Sequence, residues 1–113
     1  MICTNFALNL YTDNLEGIID FYVNKLQFSS AVFSNGLGAR LKNGHVRITI
    51  IKRLGDKVPL PGQLRFALYV EDLDSTREQI IRSGIKIDKD QNPNFFSIND
   101  CDENEISIYS SRD

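Results

Sequence analysis

The sequence has two cysteines, Cys3 and Cys101, and one histidine, His45. Two thiols are too few for a disulfide scaffold, and they read as unpaired thiols in a reducing cytoplasm. One histidine builds neither a multi-donor metal centre nor a Ser-His-Asp or Cys-His set. His45 follows Asn43-Gly44, where a solvent-facing hairpin residue is expected. Long apolar runs are also missing. Ile48-Thr49-Ile50-Ile51 is typical of the longest, so a membrane-spanning helix is excluded. Met1 to Asn5 lacks a basic start and an apolar stretch, so no signal peptide is expected. No Asn-x-Ser/Thr site occurs. Gly36-Leu37-Gly38 lies between strand-like segments and opens no helix, which excludes a phosphate-binding loop.

What is present is ordinary for a globular protein. The 113 residues are 42% hydrophobic and 25% charged, enough for one domain with its own core. The net charge of −2 argues against bulk affinity for nucleic acid. The charge is unevenly spread: Arg40 to Arg65 holds seven Lys or Arg and one acid, Asp56, whereas residues 71–74 and 100–105 are acidic. Lys and Arg on hairpin edges, or a basic pocket wall, would both account for the basic stretch.

Phe6, Leu8 and Leu10 alternate along residues 5–12, predicting a half-buried strand. Asp13 with Glu16 predicts a capped helix start, and Leu15, Ile18, Ile19, Tyr22 and Leu26 form one helical stripe. Strands are expected over 28–33, 37–42 and 45–52, with turns at Asn35-Gly36 and Asn43-Gly44. Residues 53–63 carry two Pro and two Gly and read as a linker. Residues 64–70 alternate again. Asp72 caps a second helix with Leu73, Thr76 and Ile80 inward, and Gly84 ends it in the left-handed conformation. Strands over 85–87, 95–99 and 105–109 follow, with a turn at 100–104.

The order β-α-β-β-β therefore occurs twice. A shift of 58 residues lays Leu10 on Leu68, Tyr11 on Tyr69 and Leu15 on Leu73, which points to an internal duplication. The fold class is α+β, with module 1 over residues 3–53 and module 2 over 64–110 of a single domain.

These segments carry a resemblance. Asp13-Asn14-Leu15-Glu16 with Phe21-Tyr22 and Leu26-Gln27-Phe28 is similar to the first-module signature of the vicinal oxygen chelate superfamily. That group holds glyoxalases, bleomycin-resistance proteins and extradiol dioxygenases. Val70-Glu71-Asp72-Leu73-Asp74 with Gly84 resembles the start of its second module. Asp100-Cys101-Asp102-Glu103-Asn104 resembles its closing Asp-Pro-Asp-Gly-Asn turn. Gln27 stands where the family favours Gly, and Cys101 and Glu103 stand where it favours Pro and Gly. The resemblance implies a cupped mixed sheet with helices on the convex side, and pairing into a homodimer.

It also implies metal-ligand positions at Ala7, Thr49, Arg65 and Ser107. Ala has no donor atom, Arg repels a cation, and Thr and Ser are poor neutral ligands for a transition metal. The expectation is a protein without metal or other cofactor. By alternation the concave face carries Asn9, Tyr11, Arg47, Thr49, Arg65, Ala67, Tyr69, Phe95, Glu105, Ser107 and Tyr109. Tyr11, Tyr69 and Phe95 are expected to stack on a small organic ligand. Arg47 and Arg65 would supply positive charge for an anionic or carbonyl-rich ligand, with Glu105 offsetting one of them. Asn9, Thr49 and Ser107 would be neutral hydrogen-bonders. The function this implies is sequestration of a drug or toxic metabolite, as in antibiotic resistance. A lyase, isomerase or dioxygenase of the same superfamily, or a protein-interaction module, is the alternative.

Overall fold

The computed structural model describes residues 1–55, 60–62, 64–88 and 92–111. The chain divides into two compact units, Met1–Pro61 and Gly62–Asp113. Each pairs one mixed sheet with one helix, so the architecture is α+β. Among the described residues no helix is long and apolar enough to cross a membrane.

In the first unit the order is β1 (Leu8–Thr12), α1 (Leu15–Asp20), β2 (Ser29–Val32), β3 (Gly38–Asn43) and β4 (Val46–Lys52). The sheet runs β1-β4-β3-β2, with β1 parallel to β4 and the other pairs antiparallel. Leu10, Ala39, Leu41, Ile48 and Ile50 are buried on one face, and α1 packs on β4. The strand expected from residue 5 begins only at Leu8. Phe6 is 73% exposed, so its place in the alternation does not bury it.

The cap of α1 also differs from expectation. Asn14, not Asp13, accepts the free amide of Gly17 at 3.1 Å. Asp13 is drawn instead to Arg53, whose Nε lies 3.1 Å from its carboxylate. Thr12 Oγ1 accepts the Asn14 amide and holds the cap in place. Past Asp20 the helix widens to a π-turn over Phe21–Lys25. The extra residue in that turn rotates the stripe, so Phe21 is buried beside Tyr22 and ahead of Leu26, while Ile19 is only half-buried.

The second unit runs β5 (Arg65–Val70), α2 (Leu73–Arg82), β6 (Phe95–Asn99) and β7 (Glu105–Ser110). Its sheet order is β5-β7-β6, with β5 parallel to β7. Phe96, Ile98, Ile106 and Ile108 form its buried layer with Leu73 and Ile80 of α2. Asp72 caps α2 through the Ser75 amide, and Gly84 follows the helix at φ +85°, both as expected. The strand expected at 85–87 is absent. Among the described residues a single bridge forms there, Asp88 opposite Ser97, with hydrogen bonds of 2.8 and 3.0 Å. Ile85 and Ile87 are half-buried, so this short apolar run packs without joining a ladder.

The 58-residue shift holds at the level of single hydrogen bonds. Asn14 caps through Gly17 as Asp72 caps through Ser75, and the Arg53 amide bonds Thr12 as the Ser111 amide bonds Val70, both at 2.8 Å. Leu10 pairs with Ile50 as Leu68 pairs with Ile108.

Candidate functional site

Strand alternation sends one set of side chains to each helix and the next set to the opposite, helix-free face. In the first unit that face carries Asn9 and Tyr11 from β1 and Arg47 and Thr49 from β4. Asn9 is directly beside Thr49, which lies opposite Arg40, and Arg47 lies opposite Lys42. Arg47 donates to the Gly44 carbonyl at 3.3 Å, and the Arg40 guanidinium sits 5.5 Å from the centre of the Phe33 ring.

In the second unit the same face is organised in three rows. The first aligns Arg65, Glu105 and Asn99, the second Ala67, Ser107 and Ser97, and the third Tyr69, Tyr109 and Phe95. Arg65 Nε lies 3.4 Å from the Glu105 carboxylate, with the arginine side chain 85% exposed. The Ser97 and Ser107 hydroxyls are 3.4 Å apart. Tyr109 is stacked between Tyr69 and Phe95, with ring centres 5.5 and 5.1 Å away and planes 23° and 19° apart. The sequence reading put Tyr69 and Phe95 on a ligand but gave Tyr109 no role. Period-two counting from Glu105 already places Tyr109 on this face. Its position at the centre of the stack follows from strand order, which no local pattern carries.

An open groove of about 530 Å³ adjoins the first row, lined by Arg65, Asp88, Asn99, Glu103 and Glu105 with the backbone entering β5. Its described lining holds three carboxylates and one guanidinium. The Asp100–Asn104 turn shapes one wall: the Asp100 carboxylate accepts the amides of Asp102 and Asn104 and the Asn104 side chain, and Asn104 accepts the Leu64 amide.

The four positions implied as metal ligands do not suit a metal. Ala7 carries no donor, Thr49 a neutral hydroxyl, Arg65 a cation already facing a carboxylate, and Ser107 a hydroxyl beside another hydroxyl. Among the described residues no group of three or more His, Cys, Asp or Glu is placed to hold a metal ion. His45 is exposed at its turn, and Cys3 and Cys101 are exposed and not joined in a disulfide.

No protein-family model and no curated protein matches the chain. Solved structures do. The chain is similar to an antibiotic-binding protein from Streptomyces sp. CB03234 at 20% identity, TM-score 0.78, covering 96% of each chain. A glyoxalase/bleomycin resistance protein from the same organism matches at 22% identity and TM-score 0.77, over 95% of this chain and 100% of that one. A lactoylglutathione lyase from Agrobacterium tumefaciens matches at 19% identity and TM-score 0.74, over 96% and 94%. The fold is thus that of the glyoxalase and bleomycin-resistance proteins, the one the sequence motifs implied.

Proposed function

We propose that the chain is a metal-free small-molecule-binding protein of the glyoxalase/bleomycin-resistance type. It sequesters a drug or toxic metabolite in the cytoplasm, on the helix-free faces of its sheets. The observation that carries this reading is the aromatic row Tyr69–Tyr109–Phe95. Tyr69 lies on β5, an edge strand of its own sheet, and is 65% exposed. A planar organic ligand laid there extends an existing stack, and each such contact adds to the area it buries. The small Ala67 and Ser107 side chains leave room beside the rings, and the Ser107 hydroxyl offers a hydrogen bond, whereas Ser97 is buried. The Arg65–Glu105 row provides a donor and an acceptor further along. On the first unit, Asn9, Tyr11, Thr49 and Arg47 supply the same kinds of contact. Aromatic walls with a few convergent polar groups are the usual make-up of a small-molecule site. A protein of this fold that binds an antibiotic supports the same use of the face here.

The test is a thermal-shift screen of planar organic compounds, antibiotics included, followed by titration of the hits. Hits are expected to raise the unfolding temperature. Tyr69→Ala and Tyr109→Ala are expected to weaken them roughly tenfold, the size of a lost stacking contact with its buried area. A library without a single stabilising compound, or hits indifferent to both substitutions, would remove the aromatic row from the function.

A further inference from the structure

We propose that the helix-free face of the first sheet binds a multiply charged small-molecule oxyanion, held by Arg40, Lys42 and Arg47. The inference rests on the small-molecule reading above and specifies the charge of what is bound. Lys42 and Arg47 stand directly opposite each other on β3 and β4, and Arg40 is two residues from Lys42 on the same face. Like charges placed opposite one another across a sheet are destabilising. The contacts that Arg47 and Arg40 do make are to neutral groups, the Gly44 carbonyl and the Phe33 ring. The neighbours sharing the face are Asn9, Thr49, Ser29 and Ala31, none of them acidic. Among the described residues none of the three cations has an ion pair.

Protection of a sheet edge does not explain these cations. Lys and Arg on an edge strand discourage pairing with other chains. In the order β1-β4-β3-β2, however, both β3 and β4 are interior strands. The duplicated unit sharpens the contrast. The 58-residue shift places Arg47 on Glu105, and there an acid faces Arg65 as a compensated pair. The same position has opposite charge in the two units, and among the described residues the ion pair there forms in the second unit alone.

An oxyanion lying between Lys42 and Arg47 removes their repulsion and satisfies both. Opposed cross-strand side chains start about 5 Å apart, within reach of one phosphoryl or carboxylate group. The guanidinium fork of Arg47 or Arg40 takes two oxygens at once, and Lys42 adds a point charge. Asn9 and Thr49, adjacent on the face, supply neutral hydrogen bonds to the rest of the molecule. The net charge of −2 disfavours nucleic acid as the source of the anion.

The test is calorimetric titration of the full chain with pyrophosphate and with citrate at matched ionic strength. Saturable binding of at least one is expected. Lys42→Gln with Arg47→Gln should lower its affinity by roughly tenfold or more, the loss of a charge-assisted contact. Arg82→Gln with Lys86→Gln removes the same charge from the second unit. It should leave the affinity within about twofold, since it changes the net charge without touching the three cations of the site. Lys42→Gln alone should raise the unfolding temperature in the absence of anion. The proposal is overturned if neither anion saturates, if both double variants lose affinity equally, or if a single-stranded oligonucleotide binds more tightly than either anion. Planar compounds binding while both anions fail would sink this inference and leave the small-molecule reading standing. Failure of compounds and anions together would sink both.

Discussion

Asp100 and Asn104 hold each other across the β6–β7 turn, carboxylate to side-chain amide at 2.9 Å, and both are buried. The same carboxylate accepts the backbone amides of Asp102 and Asn104, and Asn104 passes the link on to the Leu64 amide at 3.3 Å. The turn therefore ties the start of β5 to the start of β7, where Arg65 and Glu105 stand side by side.

Asp100→Ala is expected to destabilise the protein by about 2–3 kcal/mol, because buried donors lose a charged acceptor. Asp100→Asn keeps one carbonyl acceptor and should lose less. Urea unfolding followed by circular dichroism checks the order, and equal midpoints for wild type and Asp100→Ala would contradict it.

Gln27 and Glu103 are the described non-glycine residues at positive φ, +64° and +69°. They are also two of the positions where the family motifs favour glycine. A side chain in the left-handed region costs about 1–2 kcal/mol, and glycine returns part of that in unfolded-state entropy. Gln27→Gly and Glu103→Gly should each stabilise the fold by about 0.5–1 kcal/mol. Both residues are exposed, so little packing is lost. A fall in the unfolding temperature of either variant would refute the strain argument.

Elemental analysis of the purified protein is expected to find no stoichiometric Zn, Fe, Ni or Mn. Adding these ions after chelation should leave the unfolding temperature unchanged, since Ala7, Thr49, Arg65 and Ser107 are poor donors. One tightly bound metal per chain, released by Glu105→Ala, would overturn this expectation.

A homodimer is expected in solution. The edge strand β2 is exposed along its whole length, with Val32 61% exposed, and open edges of this kind are usually covered. Light scattering at micromolar concentration should give twice the chain mass, and a monomer mass would count against the pairing.

The fold was legible where local chemistry decides the structure. The α2 cap at Asp72, the terminating Gly84, the hairpin at Asn43-Gly44 and the 58-residue repeat follow from residue types at fixed spacings. Local reading failed where two local solutions compete. Asp13 and Asn14 are both good caps, and the distant Arg53 draws Asp13 away. Residues 85–87 have strand-like residues, yet their one bridge falls at Asp88.

The sequence by itself determined which side chains leave the core, because a strand sends alternate residues to opposite faces whatever its neighbours. Asn9, Tyr11, Arg47, Thr49, Arg65, Tyr69, Phe95, Glu105 and Ser107 all lie on strands of that alternation. Only the tertiary structure decided which of them meet. Strand order and register are set by pairing between segments distant in sequence. Those pairings put Tyr109 between Tyr69 and Phe95, Glu105 against Arg65, and Lys42 against Arg47. Alternation places a residue on a face, whereas its partner on that face comes from the ladder of hydrogen bonds between strands.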